Sequence, residues 1–294
     1  MSKKVVCYGE MLWDCFPDKE IPGGAPMNVA LHLKQLGLDV QMISRLGKDA
    51  YGKKYLDFIQ SFDFDNALIQ IDEEHATGTV KVHNEDPENI KYTIVSPVAW
   101  DFIELNEKNK DAVSNADAFI FGSLAIRNKS SWETLYQLLH QPTLKVFDIN
   151  LRAPFYDFEK IEIMLGFTEI LKINEDELEV VADYFGIAPD VKACCNLLTT
   201  HFPVKMVCIT LGSKGAMIYQ EGNIFQHSGY KVKVEDTVGS GDAFLAGFIK
   251  SYLEGKTPDE ILQFACAMGA FVATKEGGTP KYGESEVWKA IGVQ

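Results

Sequence analysis

The sequence lacks the spacings that identify most metal and redox sites. Its six cysteines include no C-x-x-C pair and its six histidines include no H-E-x-x-H motif. These absences exclude the common zinc-ribbon, thioredoxin-like and zinc-protease patterns. Cys208 lies within the apolar run "KMVCITLG", so we interpret it as a small buried thiol in a reduced protein.

Long apolar runs and excess positive charge are also missing. No run approaches the roughly 20 apolar residues of a membrane-spanning helix, and the N-terminal "MSKKVVCYGE" has no signal-peptide core. The net charge of −14 argues against a nucleic-acid partner, because duplex binding depends on clustered Lys and Arg. We therefore expect a cytoplasmic protein with no membrane or nucleic-acid partner, although a local positive pocket for a small phosphate remains compatible with this charge.

What the sequence does contain is an alternation of short strands and helices. The strand candidates are partly β-branched and often end in Gly, Asn or Asp: "KVVCYG", "VQMISRLG", "DAFIFGS", "LKVFDIN", "EILKIN" and "KMVCITLG". Between them, Pro26 and Gly37 suit the first position and the C-terminal cap of one helix. Thr257 and Glu260 form a capping box at the start of another. This order predicts a mostly parallel sheet covered by helices on both faces.

One segment departs from this alternation. Residues 77–97, "TGTVKVHNEDPENIKYTIVSP", alternate at period two on both sides of a turn signal at residues 86–89. The pattern predicts an antiparallel hairpin inserted into the α/β protein. A lid over a binding site and a simple decoration of the sheet edge both remain open. We expect one domain with an insertion.

The stretch "KVKVEDTVGSGDAFLAGF", residues 231–248, carries the strongest functional signal. We expect a strand, then a turn at Gly239, Ser240 and Gly241, and then a helix. Two familiar glycine loops are excluded here. The "EGKT" at residues 254–257 has Lys250 where a Walker motif needs glycine, and Gly239-x-Gly241 has Phe244 where a dinucleotide fingerprint needs its third glycine.

The same turn still suits an anion, and an acid stands beside it. Free N–H groups at a helix N-terminus form a site for phosphate. Asp242 would repel a phosphate there unless an alcohol arrives too and gives its proton to the carboxylate. The simpler alternative is that Asp242 caps the helix.

Four motifs, in the same order along the chain, resemble those of the ribokinase-like (PfkB) sugar kinase family. They are "PGGAPMNVALHLKQLG", "KINEDE", "TLGSKGA" and "DTVGSGDAF". The resemblance implies an α/β fold, a ribokinase-like three-layer sandwich with a mostly parallel central sheet and a small β lid. It implies a core of residues 1–11, 23–76 and 98–294, with lid insertions at 12–22 and 77–97. It also implies an ATP-dependent enzyme that uses Mg²⁺.

The resemblance assigns roles on the nucleotide side. Asp242 resembles the catalytic base, and the amides of Gly239, Ser240, Gly241 and Asp242 resemble the anion hole. Asn174 and Glu177 resemble the pair that organises the magnesium–phosphate shell, and an amide and a carboxylate three residues apart suit a hydrated Mg²⁺. Their alternative is a helix cap. The residues expected along the nucleotide are Asn174, Thr210, Gly212 and Gly215.

On the sugar side, Asp14, Gly24 and Asn28 match family positions that contact sugar hydroxyls. "FGSLAIR" and "DINLR" are more similar to fructokinases than to ribokinases, and they place Arg127 and Arg152 near the sugar or the transferred phosphate. A surface position is the alternative for either arginine. Fructose is the expected substrate. The alternatives are 2-keto-3-deoxygluconate, ribose or another small sugar, and a silent sugar-binding protein on the same fold.

Two further expectations follow from the resemblance. Some family members bind K⁺ through backbone carbonyls near the anion hole, and the corresponding residues here are Asp236, Val238, Val272, Lys275 and Gly277. The exposed lid sheet could also pair two copies of the chain, so a homodimer through the lid is expected.

Overall fold

The computed structural model describes residues 2–83, 91–188 and 190–292, and the turn signal at residues 86–89 lies outside the described residues. A nine-stranded sheet forms the centre of the fold, with the strand order β13-β12-β11-β10-β9-β8-β1-β4-β5. All neighbouring strands are parallel except the β11–β12 and β12–β13 pairs. Its strands are β1 (Lys4–Tyr8), β4 (Asp39–Gly47), β5 (Ile69–Asp72), β8 (Ala118–Gly122), β9 (Leu144–Asp148), β10 (Ile170–Asn174), β11 (Met206–Thr210), β12 (Ala216–Gln220) and β13 (Asn223–His227). The six predicted strands all belong to it.

Helices cover both faces of this sheet. They are α1 (Ala25–Gln35), α2 (Ala50–Gln60), α3 (Glu107–Ser114), α4 (Lys129–Leu139), α5 (Phe158–Leu165), α6 (Glu175–Tyr184), α7 (Val191–His201), α8 (Ser240–Leu253), α9 (Pro258–Ala273) and α10 (Glu284–Ala290). Alternate residues of β1 point to opposite faces. Val5 packs in one core cluster with α1, α8 and α9, and Val6 packs in the other with α4, α5 and α6. The predicted three-layer sandwich is confirmed.

A second, four-stranded sheet has the order β3-β2-β6-β7. Its strands are β2 (Leu12–Cys15), β3 (Glu20–Gly23), β6 (Gly78–His83) and β7 (Lys91–Ile94). The β2–β6 pair is parallel and joins the two inserted segments into one sheet. Helix α2 anchors it, because Trp13 donates to the Tyr51 carbonyl at 3.1 Å and Tyr55 donates to the Gly23 carbonyl at 2.6 Å.

The local signals agree with the structure at both predicted helices. Pro26 lies in the first turn of α1, and Gly37 follows its end with φ +85°. At α9, Glu260 Oε2 accepts from the Thr257 N–H at 2.8 Å, which is half of the predicted capping box. Within the described part of the chain, no helix has the length and apolar character needed to cross a membrane.

The prediction of a strand before Gly239 is wrong. Residues 228–238 form a loop, in which the N–H of Glu235 donates to the Ala273 carbonyl at the end of α9. The period-two pattern has another cause, because Val232 and Val234 both line a cavity instead of facing a sheet partner.

Candidate active site

The glycine turn that we predict to bind an anion, called here the anion-binding turn, begins α8. Gly239 is the N-cap residue, with φ +74°, and a Cβ there would lie 2.4 Å from the Gly278 Cα. Only glycine meets both conditions. The Ser240 N–H donates to the Thr237 carbonyl at 3.2 Å, whereas the described residues offer no acceptor to the N–H groups of Gly239, Gly241 and Asp242. Three of the four expected donors are therefore free.

Asp242 does not cap α8, since no side chain caps that helix. Its carboxylate instead accepts from Asn28 Nδ2 at 2.8 Å, which links the first turn of α8 to α1. Burial raises the pKa of Asp242 to about 6, against the lowering effect of the Asn28 hydrogen bond. A carboxyl with such a pKa can take a proton and release it near neutral pH.

The predicted sugar residues lie on the same side of the fold. Gly24 has φ +111°, and a Cβ there would lie 2.4 Å from the Glu10 carbonyl oxygen. The side chain of Asp14, on β2, reaches the neighbouring strand, because a Cβ at Gly23 would lie 2.6 Å from its Oδ2. Burial raises the pKa of Asp14 to about 6, and the charge of Arg152 opposes this shift.

The two arginines have different surroundings. Arg152 is exposed, and its positive charge lowers the pKa of Asp14, Asp242 and Glu10 alike. Its place among three carboxyl groups agrees with a substrate-facing position.

The Arg127 side chain is only 4% exposed, so the surface alternative does not hold for it. Its guanidinium donates to Asp101 at 2.6 and 2.8 Å and to the Val95 carbonyl at 2.7 Å, and it lies over the Trp100 ring. These contacts join the end of the lid sheet to the core, and none of them involves another predicted sugar residue. Arg127 Nη1 has no partner among the described residues.

A cavity of about 780 Å³ adjoins the anion-binding turn. All four predicted nucleotide residues line it, together with two residues of the turn: Asn174, Thr210, Gly212, Gly215, Ser240 and Gly241. A Cβ at Gly215 would lie 1.9 Å from the His227 carbonyl oxygen, so glycine is required at this wall. Apolar side chains such as Phe244 and Val232 complete a lining suited to a base and ribose.

Asn174 and Glu177 form the helix cap that was their alternative interpretation. Asn174 Oδ1 accepts from the Glu177 N–H at 2.8 Å, and Glu177 Oε2 accepts from the Asn174 N–H at 3.0 Å. Glu177 Oε1 accepts from the Leu151 N–H at 2.9 Å. Both carboxylate oxygens already accept backbone bonds, so this pair suits a Mg²⁺ that keeps its waters and is held mainly by phosphate. The described His, Cys, Asp and Glu side chains form no cluster of three that could hold a metal ion.

The two loops predicted to hold a monovalent cation meet next to the turn. Asp236 accepts from the Val238 N–H at 3.0 Å and from the Gly277 N–H at 3.2 Å. The carbonyl of Val272 accepts from the Lys275 N–H at 2.9 Å. Asp236, Val238 and Gly277 are thus brought together, while Val272 and Lys275 form the turn that ends α9.

Sequence reasoning missed three charged residues around Asp242. Glu10 follows β1 and is 2% exposed, with Oε2 unpartnered among the described groups. Asp148 ends β9 and pairs with Lys172 on β10. A signal existed for each: an acid where a parallel strand ends, or a single charge in an apolar strand such as "ILKIN".

Comparisons with known proteins agree with the fold. The chain is 28% identical to probable fructokinase-7 of Arabidopsis thaliana, over 94% of this chain and 88% of that protein. A Xylella fastidiosa fructokinase with bound ATP superposes with a TM-score of 0.88 at 21% identity, covering 99% of this chain and 98% of that one. A fructokinase from Vibrio cholerae, a double mutant with fructose, ADP and potassium bound, gives a TM-score of 0.83 at 22% identity, with 98% of each chain covered.

The family comparison extends the resemblance seen in the four motifs to nearly the whole chain. The model of the pfkB family carbohydrate kinases matches residues 2–282. This range includes every strand of both sheets and all helices named above except α10. The chain therefore belongs to the pfkB family of carbohydrate kinases.

Proposed function

We propose that this kinase transfers the terminal phosphoryl group of ATP to fructose, giving fructose 6-phosphate, with Asp242 as the base. The observation that carries the proposal is the position of the Asp242 carboxylate. It lies in the first turn of α8 beside the free N–H groups of the glycine turn, and Asn28 holds it by a 2.8 Å hydrogen bond.

The transfer uses these groups in one step. The sugar hydroxyl gives its proton to the Asp242 carboxylate as its oxygen bonds to the terminal phosphorus, and the bond from that phosphorus to the ADP oxygen breaks. The N–H groups of Gly241 and Asp242 donate to the phosphoryl oxygens, whose charge they stabilise. Because Asp242 has a pKa of about 6, it is mostly ionised and ready to accept the proton at neutral pH.

The sugar is held on the other side of Asp242. Asp14, Asn28 and the backbone at Gly24 offer donors and acceptors for its hydroxyls, and Arg152 adds a positive charge near them. We assign Arg127 a structural role: it holds the backbone at Val95, where the chain leaves strand β7 of the lid, and so would act on the sugar only indirectly. Fructose is favoured because relatives over nearly the whole chain are named fructokinases.

ATP occupies the 780 Å³ cavity in this proposal. Asn174 and Glu177 would orient the hydrated Mg²⁺ and the phosphates, Thr210 and Gly212 would follow the phosphates and ribose, and Gly215 forms the wall. Bound Mg²⁺ would neutralise phosphate charge. K⁺ is a second ion of the proposal, placed at the loops that Asp236 joins; a fructokinase of the same fold was crystallised with potassium.

The small sheet is the lid of this proposal, formed by residues 12–22 and 77–97 on a core of the remaining residues. Its strand β3 lies against the loop after α9, since Ile21 Cγ2 would be 3.9 Å from a Cβ at Gly277. The same sheet would also pair two copies of the chain. The cytoplasm is the proposed location, in keeping with six free cysteines, five of them buried.

A panel of sugars with Mg-ATP tests the substrate. We expect fructose to have the highest kcat/KM. Another sugar would leave buried polar groups of the site unpaired, which costs roughly several kcal/mol of transition-state binding. The panel contains ribose and 2-keto-3-deoxygluconate, and ADP release is followed in a coupled assay. If the kcat/KM of fructose is less than about a tenth of the best value, the best sugar replaces fructose as the proposed substrate. If no sugar causes ADP release, the protein is a silent sugar-binding protein.

A further inference from the structure

Lys172 and Asp148 form a buried ion pair at the carboxyl end of the sheet. They lie opposite each other on the parallel strands β10 and β9. Lys172 Nζ donates to both carboxylate oxygens, at 2.7 and 2.9 Å, and the two side chains are 9% and 7% exposed. An ammonium has three protons, and the part of the chain that the structure describes supplies acceptors for two of them.

The ammonium lies against the anion-binding turn. Lys172 Nζ is 3.8 Å from the point that a Cβ at Gly241 would occupy. Gly241 carries one of the free N–H groups of the turn and lines the cavity proposed for ATP. The positive charge is therefore placed next to the donors that the proposed transfer uses.

Stability gives no reason for this pair. Removing an ammonium and a carboxylate from water costs free energy that their mutual attraction recovers only in part, and apolar residues of similar size are often as stable. On the same face of β10 as Lys172, Ile170 is apolar and 1% exposed, and on the other face Leu171 and Ile173 are apolar and fully buried. A charged pair at this one place in the strand calls for a role in the site.

We propose that Lys172 is a positioning residue for phosphoryl transfer, whose ammonium, oriented by Asp148, strengthens the anion hole at Gly241 and Asp242. The inference rests on the proposed role of Asp242. As the phosphoryl group leaves ADP, its oxygens carry negative charge, and a fixed positive charge behind the N–H donors stabilises it without any rearrangement. No bond to Lys172 is made or broken.

The charges around Asp242 agree with this arrangement. Burial disfavours the charged form of Lys172, but the carboxylates of Asp148, Glu177 and Asp242 together outweigh it and raise the pKa of the lysine, so the ammonium stays protonated. The groups that act on Asp242 are Asn28 from α1, Asp148 from β9, Lys172 from β10, Arg152 from the loop after β9, and Glu10 from the end of β1. After burial and the Asn28 bond, Asp148 raises the pKa of Asp242 and Lys172 lowers it.

Opposite signs at the two positions make the test specific. Lys172→Met, Asp148→Asn and the double variant are assayed by single-turnover transfer from ATP to fructose across pH, with the bound fructose measured by calorimetry. We expect Lys172→Met to slow transfer by about tenfold or more, with fructose affinity within about twofold of wild type. The acid limb of the pH–rate profile, where Asp242 becomes protonated, should move to higher pH in Lys172→Met, because a positive charge that lowers the pKa of Asp242 is removed. In Asp148→Asn it should move to lower pH, because a negative charge that raises this pKa is removed.

Two controls separate this role from a structural one. Arg45→Met breaks another ion pair between neighbouring parallel strands, Arg45 to Asp72 at 2.7 Å, and should change the melting temperature but not the acid limb. Lys172→Arg keeps the charge and should keep the limb. If Lys172→Met does not fold, the double variant carries the rate test, because it leaves no unpaired charge.

The outcomes distinguish this inference from the proposed function. Wild-type transfer rates and an unmoved acid limb in the folded Lys172 and Asp148 variants would make the pair structural and overturn the inference alone. Full activity of Asp242→Asn would overturn the proposed base, and with it the ground for this inference.

Discussion

Asp242 is the third residue of α8, yet its carboxylate is bonded to a neighbouring helix. In this position an acid often bonds back to the N-terminal amides of its own helix. Here the bond comes from Asn28 on α1, so the first turn of α8 keeps its free N–H groups for a ligand. The residue therefore bears on the reaction more than on the stability of the helix.

Asp242→Asn is the direct test of the base. The asparagine keeps the size of the side chain and an oxygen that can accept from Asn28, but it cannot take a proton from the sugar. We expect kcat to fall by roughly 10²–10⁴, the usual contribution of general base catalysis. Affinity for fructose and ATP should change little. Single-turnover transfer, calorimetry and a thermal melt measure these three quantities.

Asp259→Asn is the matched control. Asp259 is an exposed acid in the first turn of α9, the helix that packs on α8, and we expect its variant to keep wild-type kcat. A folded Asp242→Asn protein with more than about a tenth of wild-type kcat would end the assignment of Asp242 as the base.

At the same scale, the residues that sequence reasoning missed share one property. Glu10, Asp148 and Lys172 are far apart in the chain and meet only because β1, β8, β9 and β10 are consecutive in the sheet. A single sequence does not reveal strand order, so no spacing indicates that the Lys172 ammonium lies next to Gly241. Asp242 could be found because its glycine turn and its carboxylate are adjacent in the chain.

At the scale of elements, local signals identified those elements whose partners lie nearby in the chain. The capping box of α9 and the glycine after α1 were predicted correctly because each depends on residues within one helical turn. The supposed strand at residues 231–234 failed because alternation records only which side is apolar. There the apolar side faces the cavity beside the glycine turn, through Val232 and Val234.

The two loops joined by Asp236 carry the next prediction. If K⁺ binds their carbonyls, it should raise kcat/KM by shaping the anion hole next to them. The contact is indirect, so we expect less than about tenfold, or about 1.4 kcal/mol of transition-state stabilisation. Assays with KCl and with tetramethylammonium chloride at equal ionic strength measure the effect.

Asp236→Asn supplies the control for this effect. The variant keeps one acceptor but loses a charge and one of the bonds that join Val238 and Gly277, so it should respond less to K⁺ than the wild type. Equal rates of the wild type in both salts would remove the cation from the mechanism.

At the scale of the whole molecule, the small sheet connects distant parts of the chain around one site. On the side of α2, the buried Trp13 and Tyr55 side chains donate to the Tyr51 and Gly23 carbonyls, at 3.1 and 2.6 Å. Lys19 pairs with Glu276, in the loop after α9, at 2.7 Å. The exposed Lys19 pair contributes little by itself, so the contact on this side can open. These links agree with a lid that is fixed at one side and releasable at the other.

Hydrogen exchange tests whether the sheet closes on substrate. With saturating fructose and a nonhydrolysable ATP analogue, the amides of β6 and β7 should exchange more slowly, because closure excludes water from the transfer. Helix α7 lies outside both the site and the lid and should not change. Diluting the ligand-free protein separates the second role of the sheet: faster exchange at low concentration would indicate a dimer through the lid. If substrate leaves β6 and β7 unchanged and dilution speeds their exchange, the sheet is an interface and not a lid, and water must be excluded by the core alone.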